Sequence, residues 1–233
     1  MVFSRFYSYP PVECQWPFIL RRLGWKSLPC EHEILDVGIL DLKEPPHRYT
    51  EEKLKKWRKE KTEGWKVVPD CFDLPGEFGI SVDFDTMNYS FELLERFYND
   101  EEYLMPVIQG RSGDYQSFKD YVYRVKGQYE PVVVGVSGSL CRSKDTNLVR
   151  GVLKMVQREL PGVWVHAFAL RFSHLRGVNG LIDSFDSTNW TFPRTPGRGS
   201  CRNKEERIQY FHDYIKRLEM VNVHLHEEQG VLV

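Results

Sequence analysis

The sequence predicts an α/β protein whose parallel strands close into a compact (β/α) barrel. Three observations carry this expectation. Near-continuous apolar strands alternate with amphipathic helical segments along the chain, and strands apolar on both faces need a parallel sheet covered by helices. The polar residues Asp36, Asp70, Gln109, Ser137 with Gly138, His166 and Asp186 fall at or just beyond the C-terminal ends of successive strands. In a barrel those ends converge on one mouth, whereas an open doubly wound sheet spreads them along a line. No stretch has a linker's composition, so residues 1–233 are read as one domain.

The elements follow in order. The first thirty residues, with Pro10, Pro11, Pro17 and many aromatics, read as irregular, with room for a short strand or a cap. The barrel is therefore expected to be irregular or incomplete at its N-terminus. "EILDVGILDL" is a strand-like run ending at Pro45. Thr50, followed by Glu51 and Glu52, is an N-cap that opens a charged helix through roughly Glu63. Only Leu54 and Trp57 form its apolar side, so it lies on the surface.

"WKVVPDCFDLPGEFG" begins with a short strand that stops at Pro69, with Asp70 at its end. A helix is expected around Phe91 to Tyr98, and "LMPVIQG" is the next strand, ending on Gln109 and Gly110. "YQSFKDYVYRV" places Phe118, Tyr121, Val122 and Val125 at helical spacing before the strand "PVVVGVSG". In "DTNLVRGVLKMVQREL" the buried face is read as Leu148, Val152, Met155, Val156 and Leu160, and Pro161-Gly162 stops the helix. "VWVHAFAL" and "GLIDSF" are further strands. In the last helix Asn203 with Glu206 resembles a capping box, and Ile208, Phe211, Ile215 and Leu218 form the stripe.

A chain of 233 residues that is 41% hydrophobic and 14% aromatic is globular, not disordered. Its formal net charge of −1 gives no whole-molecule attraction for a polyanion, so any nucleic-acid site must be a local basic patch. No apolar run spans a bilayer, and the chain is read as soluble and cytoplasmic, with no membrane partner. Five scattered cysteines without a C-x-x-C pair argue for free thiols, and His224 with His226 lacks companion ligands, so no metal is expected.

Two carboxylates across a barrel mouth can divide labour: one attacks an electrophilic carbon while the other protonates the leaving group. Acidic residues at barrel rims also bind metals and sugars without covalent chemistry, and spacing alone leaves both open.

The stretch Leu181 to Asp186 resembles the "G-[IV]-D-M-F-D" signature of tRNA-guanine transglycosylases. "EHEILDVGIL" resembles their "TDSGG" segment, "VVPDCFD" their base-reading segment and "PVIQG" their "VQG". "VVVGVSGSLCRS", followed by "VHAFAL" and "SFDSTNW", is still more similar to the smaller 7-deazaguanine DNA transglycosylases. The pieces keep the family's order from about residue 33 to residue 194. The resemblance implies a TIM-type (β/α)8 barrel and exchange of a guanine for a free 7-deazaguanine base such as preQ0, in DNA or, second, in tRNA.

Carried over position by position, the resemblance makes Asp186 the nucleophile and Asp36 the general acid/base. It gives the base to Asp70, Gln109, Gly110, Gly138, Ser139 and His166. No cofactor is implied, and a homodimer is left open. Val37 and Ile39 depart from the family's Ser and Gly beside Asp36, which keeps a non-catalytic, base-binding barrel as the alternative. The zinc-binding cysteine cluster of the tRNA enzymes is absent, which favours the DNA-type relatives and no zinc subdomain.

Several residues have plainer readings. Asp183, earlier in its strand than Asp186, is read as structural, and Asp73 as a turn residue, although it competes with Asp70 for the base-reading role. His166 at mid-strand suits a hydrogen-bonded core histidine as well. "GVSGSLCRS" lacks the lysine of a P-loop and the last glycine of a nucleophile elbow. Arg194, Arg198, Arg202, Lys204 and Arg207, with Trp190 and Phe192 upstream, form either a solvated loop or a basic arm gripping phosphates.

Overall fold

A computed structural model describes residues 4–38, 42, 47–71, 85–99, 103–187, 191 and 203–221. Among the described residues nine strands fall in two sheets, and every strand pair is parallel. One sheet has the order β1 (Arg5–Tyr7), β9 (Ser184–Asp186), β8 (Trp164–Ala167), β7 (Val133–Val136), β6 (Val107–Ile108). The other has the order β2 (Phe18–Arg22), β3 (His32–Asp36), β4 (Trp65–Val67), β5 (Leu104–Met105).

The sheets are linked at both ends. Ser8, just past β1, forms a parallel bridge with Ile19 of β2. Its N–H donates to the Phe18 carbonyl, and Leu20 N–H donates back to Ser8, both at 3.1 Å. At the other end Pro106 alone separates β5 from β6, so one extended run passes from sheet to sheet. Proline has no N–H for a ladder, which interrupts pairing on that side without ending the run.

The helices α1 (Glu51–Lys59), α2 (Thr86–Phe97), α3 (Tyr115–Gln128), the short α4 (Gly138–Cys141), α5 (Thr146–Glu159), the short α6 (Leu175–Val178) and α7 (Lys204–Glu219) connect or follow the strands. Side chains alternate along each strand. One set, including Phe6, Val134, Val136, Val165 and Phe185, packs with Phe118, Val122, Val152, Val156 and Phe211 of the helices. The other set, Tyr7, Phe18, Ile34, Val67, Met105, Val107 and Val133, draws on both sheets and forms a separate cluster. Each such fully buried side chain contributes roughly 1.5–3 kcal/mol.

Local chemistry explains the element boundaries. Thr50 Oγ1 accepts from Lys53 N–H at 3.2 Å, and only Leu54 and Trp57 of α1 are buried, as expected. The helix ends at Lys59 instead of Glu63, because Glu60 and the Lys61 carbonyl are drawn to the guanidinium of Arg21. That buried arginine also holds Glu33 through Nε at 2.7 Å and Nη2 at 3.0 Å. Removing one partner of such a buried pair costs about 3–5 kcal/mol.

α2 begins at Thr86, not near Phe91, since Asp85 caps it by accepting from Asn88 N–H at 3.0 Å. Asn203 caps α7 by accepting from Glu206 N–H at 2.8 Å. Two stripes shift. Val149 and Leu153 join the buried side of α5 where Leu148 is half-buried, and Tyr214 joins α7 where Ile208 is half-buried. The N-terminal segment expected to be irregular supplies two strands, β1 and β2, each followed by a loop without a helix.

Among the described residues no helix is long and apolar enough to cross a membrane, and no group of three or more His, Cys, Asp or Glu side chains could hold a metal ion. Cys14, Cys30, Cys71 and Cys141 are free thiols; Cys201 lies outside the described residues.

Candidate active site

With all strands parallel, their C-terminal ends share one edge of the sheets. Asp36 is the last residue of β3 and Asp186 the last of β9. Asp36 shares its strand face with Ile34 of the inner cluster, two residues before it, and Asp186 likewise shares a face with Ser184. Asp70 follows β4 by three residues and Gln109 follows β6 directly.

Asp36 senses the charge of Asp186, and Asp70 senses that of Asp36. Burial pushes the Asp36 carboxyl above the usual carboxylate range, and the charge of Asp186 adds to that. The Gly38 N–H, donated to Asp36 Oδ1 at 3.1 Å, and the cations Arg22 and Lys53 oppose it. Burial holds Asp70 well above the usual range, and the charge of Asp36 reinforces the shift. A carboxyl whose pKa is raised holds its proton more readily and can give it to a leaving group.

The turn after β3 explains how Asp36 is held. Gly38 has φ +79°, and a Cβ there would lie 2.7 Å from Arg22 Nη2. The glycine therefore lets the guanidinium lie against the backbone that presents Asp36. Lys53 Nζ donates to the Gly38 carbonyl at 3.0 Å. Val37 is buried in the outer core; Ile39 lies outside the described residues.

Asp186 is fixed from behind. Its Oδ1 accepts the Ala169 N–H at 2.8 Å, and His166 Nε2 stands 3.4 Å from the same oxygen. Ala169 adopts φ +52°, a left-handed conformation that costs a non-glycine residue about 1–2 kcal/mol, and this turn aims its N–H at the carboxylate. Both contacts fall on Oδ1, which leaves Oδ2 as the oxygen to act outward.

His166, expected among base-binding residues, is fully buried behind Asp186 instead. Its Nδ1 lies 2.9 Å from Ser184 Oγ, which accepts Trp164 Nε1–H at 2.8 Å. An imidazole nitrogen facing a carboxylate needs its proton there. With its proton on Nε2, the ring accepts the Ser184 hydroxyl proton at Nδ1. Trp164, Ser184 and His166 Nδ1 are thus joined by hydrogen bonds, and Nε2 faces Asp186 Oδ1 at 3.4 Å without closing one. Sequence reading missed Ser184, although strand period places it on the face of Asp186 and it is the register partner of His166.

Gln109 is buried; its Nε2 donates to Asp70 Oδ2, while its Oε1 has no hydrogen-bond partner. A buried acceptor left unsatisfied costs about 1–3 kcal/mol and suits a ligand N–H. Tyr49 Oη donates to the Asp70 carbonyl at 2.9 Å, another contact not read from sequence. Gly138 begins the short α4 near Ala169, whose Cβ a methyl there would meet at an ordinary 3.6 Å.

Gly110 and Ser139, expected to touch the base, also have local packing and hydrogen-bonding roles. A Cβ on Gly110 would fall 2.5 Å from the Phe118 ring, and Ser139 Oγ lies 2.7 Å from Ser137 Oγ and 3.5 Å from the Gly110 carbonyl. Asp183 precedes β9, at the opposite end from Asp186; its Oδ2 accepts Val165 N–H at 2.8 Å, a structural role served by the backbone. Lys204 forms an exposed pair with Glu13 at 2.7 Å. Arg194, Arg198, Arg202, Asp73, Trp190 and Phe192 lie outside the described residues.

A sequence model of the family described as DpdA, deoxypurine in DNA protein A, matches residues 46–204, well over half of the chain. The family is related to the tRNA-guanine transglycosylases. The matched span holds Asp70, Gln109, Gly138, His166 and Asp186, and Asp36 precedes it. No curated protein and no solved structure matches the chain.

Proposed function

The chain belongs to the DpdA family, and on that premise we propose that it exchanges guanine in DNA for a free 7-deazaguanine by double displacement. The observation that carries this reading is the meeting of Asp36, Asp70 and Asp186 at one edge of parallel strands, with Gln109 paired to Asp70. The framework is proposed to be a TIM-type barrel of eight strands, with β5 and β6 counted as one. The Ser8–Ile19 bridge, the run through Pro106 and the inner cluster drawn from both sheets support it.

In the proposed reaction Asp186 Oδ2 attacks C1′ of a guanosine nucleotide as the glycosidic C–N bond breaks. Asp36 gives its proton to the departing guanine. The incoming 7-deazaguanine binds in the same place, loses its N–H proton to Asp36, and displaces Asp186 from C1′. Two inversions give net retention without ATP. Asp70 and Gln109 hold the purine edge; the unpaired Gln109 Oε1 accepts a base N–H and a protonated Asp70 donates. A base inside a duplex must leave the stack to reach this site.

The test is to incubate guanine-containing DNA, or tRNA, with a labelled 7-deazaguanine and compare wild type with Asp186→Ala. Incorporation into DNA by the wild type alone is expected. No incorporation with either polymer, or undiminished incorporation by the variant, would overturn the assignment.

A further inference from the structure

A charged groove beside Asp36 has no part in the proposed chemistry. Its volume is about 510 Å³, and it is lined by Arg22, Trp25, Lys53 and Lys56, against one acid, Glu52. Arg22 ends β2, Val37 follows Asp36, and Thr50 caps α1, so the groove opens at the same strand edge as the carboxylates. Trp25 is 44% exposed, with the Arg22 guanidinium 5.5 Å from its ring centroid.

A second groove of about 430 Å³ lies on the same edge, past the end of β1 and at the start of α7. Tyr9, Lys204 and Arg207 line it, with Glu13 as its acid. Tyr9 packs edge-on against Trp25 at 4.7 Å between centroids, so this aromatic pair joins the two grooves. Five cations against two acids thus line a path around the edge, interleaved with exposed aromatic surface, in a chain whose net charge is −1.

Resting on the proposed function, we infer that this path is the track for the DNA strand flanking the extruded nucleotide. Backbone phosphates take Arg22, Lys53 and Lys56, and a neighbouring unstacked base lies on Trp25. The chemistry fits single-stranded polynucleotide: cations follow the backbone while aromatic faces accept any base. The exposed Lys204–Glu13 pair is no obstacle, because a solvated ion pair is worth little and a phosphate replaces the carboxylate. The track reaches the carboxylates directly, since the charges of Arg22 and Lys53 act on Asp36, opposing the upward push of burial.

The experiment measures binding of a fluorescein-labelled single-stranded DNA oligonucleotide by anisotropy over a salt series, without any 7-deazaguanine. Wild type is compared with Lys56→Ala and Trp25→Ala, both at exposed positions outside the catalytic groups, with folding checked by circular dichroism. Lys56→Ala is expected to reduce the slope of log affinity against log salt by about 0.7, the effect of one lost phosphate contact on a single strand. Trp25→Ala is expected to weaken binding by about tenfold or more with the slope kept, as for loss of one stacked base.

Unchanged affinity and slope in both folded variants would overturn the track. Competition by polyglutamate equal to that by unlabelled oligonucleotide, with Trp25→Ala neutral, would also overturn it, by reducing the groove to a general polyanion patch. Base exchange measured separately keeps the two readings apart. Exchange with variant-insensitive binding defeats the track alone, and variant-sensitive binding without exchange defeats the catalytic reading alone.

Discussion

Replacing Ser184 by alanine removes one buried oxygen and two hydrogen bonds, the 2.8 Å bond from Trp164 and the 2.9 Å bond to His166. Each bond contributes about 0.5–1.5 kcal/mol net, so the loss is about 1–3 kcal/mol. For a chain of this size every kcal/mol lowers the melting temperature by about 2–4 °C, and a fall of about 2–12 °C is expected. The substitution also frees His166 Nδ1 from the hydroxyl that selects the tautomer with the proton on Nε2. Asp186 Oδ1 then keeps only the Ala169 N–H as a fixed donor, and kcat for base exchange is expected to fall by about 10–100-fold, the usual effect of removing an orienting partner. The assays are thermal unfolding by circular dichroism, 15N chemical shifts of the His166 ring, and exchange kinetics. A melting temperature within 1 °C, an unchanged Nε2–H tautomer and an unchanged kcat would refute the argued chain.

Three further substitutions test separate parts of the account. Asp70 is raised in the folded protein, so between its ordinary and folded values the native state binds more protons than the unfolded chain, and this group's contribution to stability falls as pH rises. Asp70→Asn is therefore expected to raise the melting temperature near pH 7 but not below about pH 4, by about 3–5 °C for each pKa unit of elevation; an equal gain at both pH values would contradict the shift. Ala169→Val, β-branched at φ +52°, is expected to cost at least about 1–2 kcal/mol in denaturant unfolding and to displace the donor to Asp186, while Ala169→Gly keeps activity; the reverse ranking would refute the role of the turn. Gly110→Ala forces a methyl against the fully buried Phe118 ring and is expected to cost about 1–3 kcal/mol, read by the same unfolding assay, with no loss meaning that α3 yields freely.

Helices and strand ends were legible because their signals are local. Thr50 and Asn203 caps, the Phe118–Val125 stripe and the placement of Asp36 and Asp186 at strand ends follow from spacing that tertiary packing did not disturb. β1 and β2 were hidden because three to five residues among prolines carry little periodicity, and their order comes from pairing, of β1 with β9 far along the chain and of β2 with the neighbouring β3. The premature end of α1 depends on Arg21, thirty-nine residues before Glu60, which no window on the helix contains. The site divides in the same way. The type of each carboxylate was readable, but the support behind Asp186 was not, since it needs β8 and β9 in register to bring His166 to Ser184. Equally, the packing demand on Gly110 was hidden, because Phe118, which a side chain there would meet, comes from the following helix.

The central claim is that Asp186 becomes covalently attached to the sugar while the base is exchanged. The most direct measurement is to quench wild-type protein with guanine-containing DNA during turnover, digest it, and sequence the adduct-bearing peptide by mass spectrometry. The account predicts a deoxyribose-linked adduct on Asp186, absent in Asp186→Asn and lost on adding excess 7-deazaguanine. Exchange proceeding at full rate with no adduct on this residue, or with the adduct on Asp36 or Asp70, would contradict it.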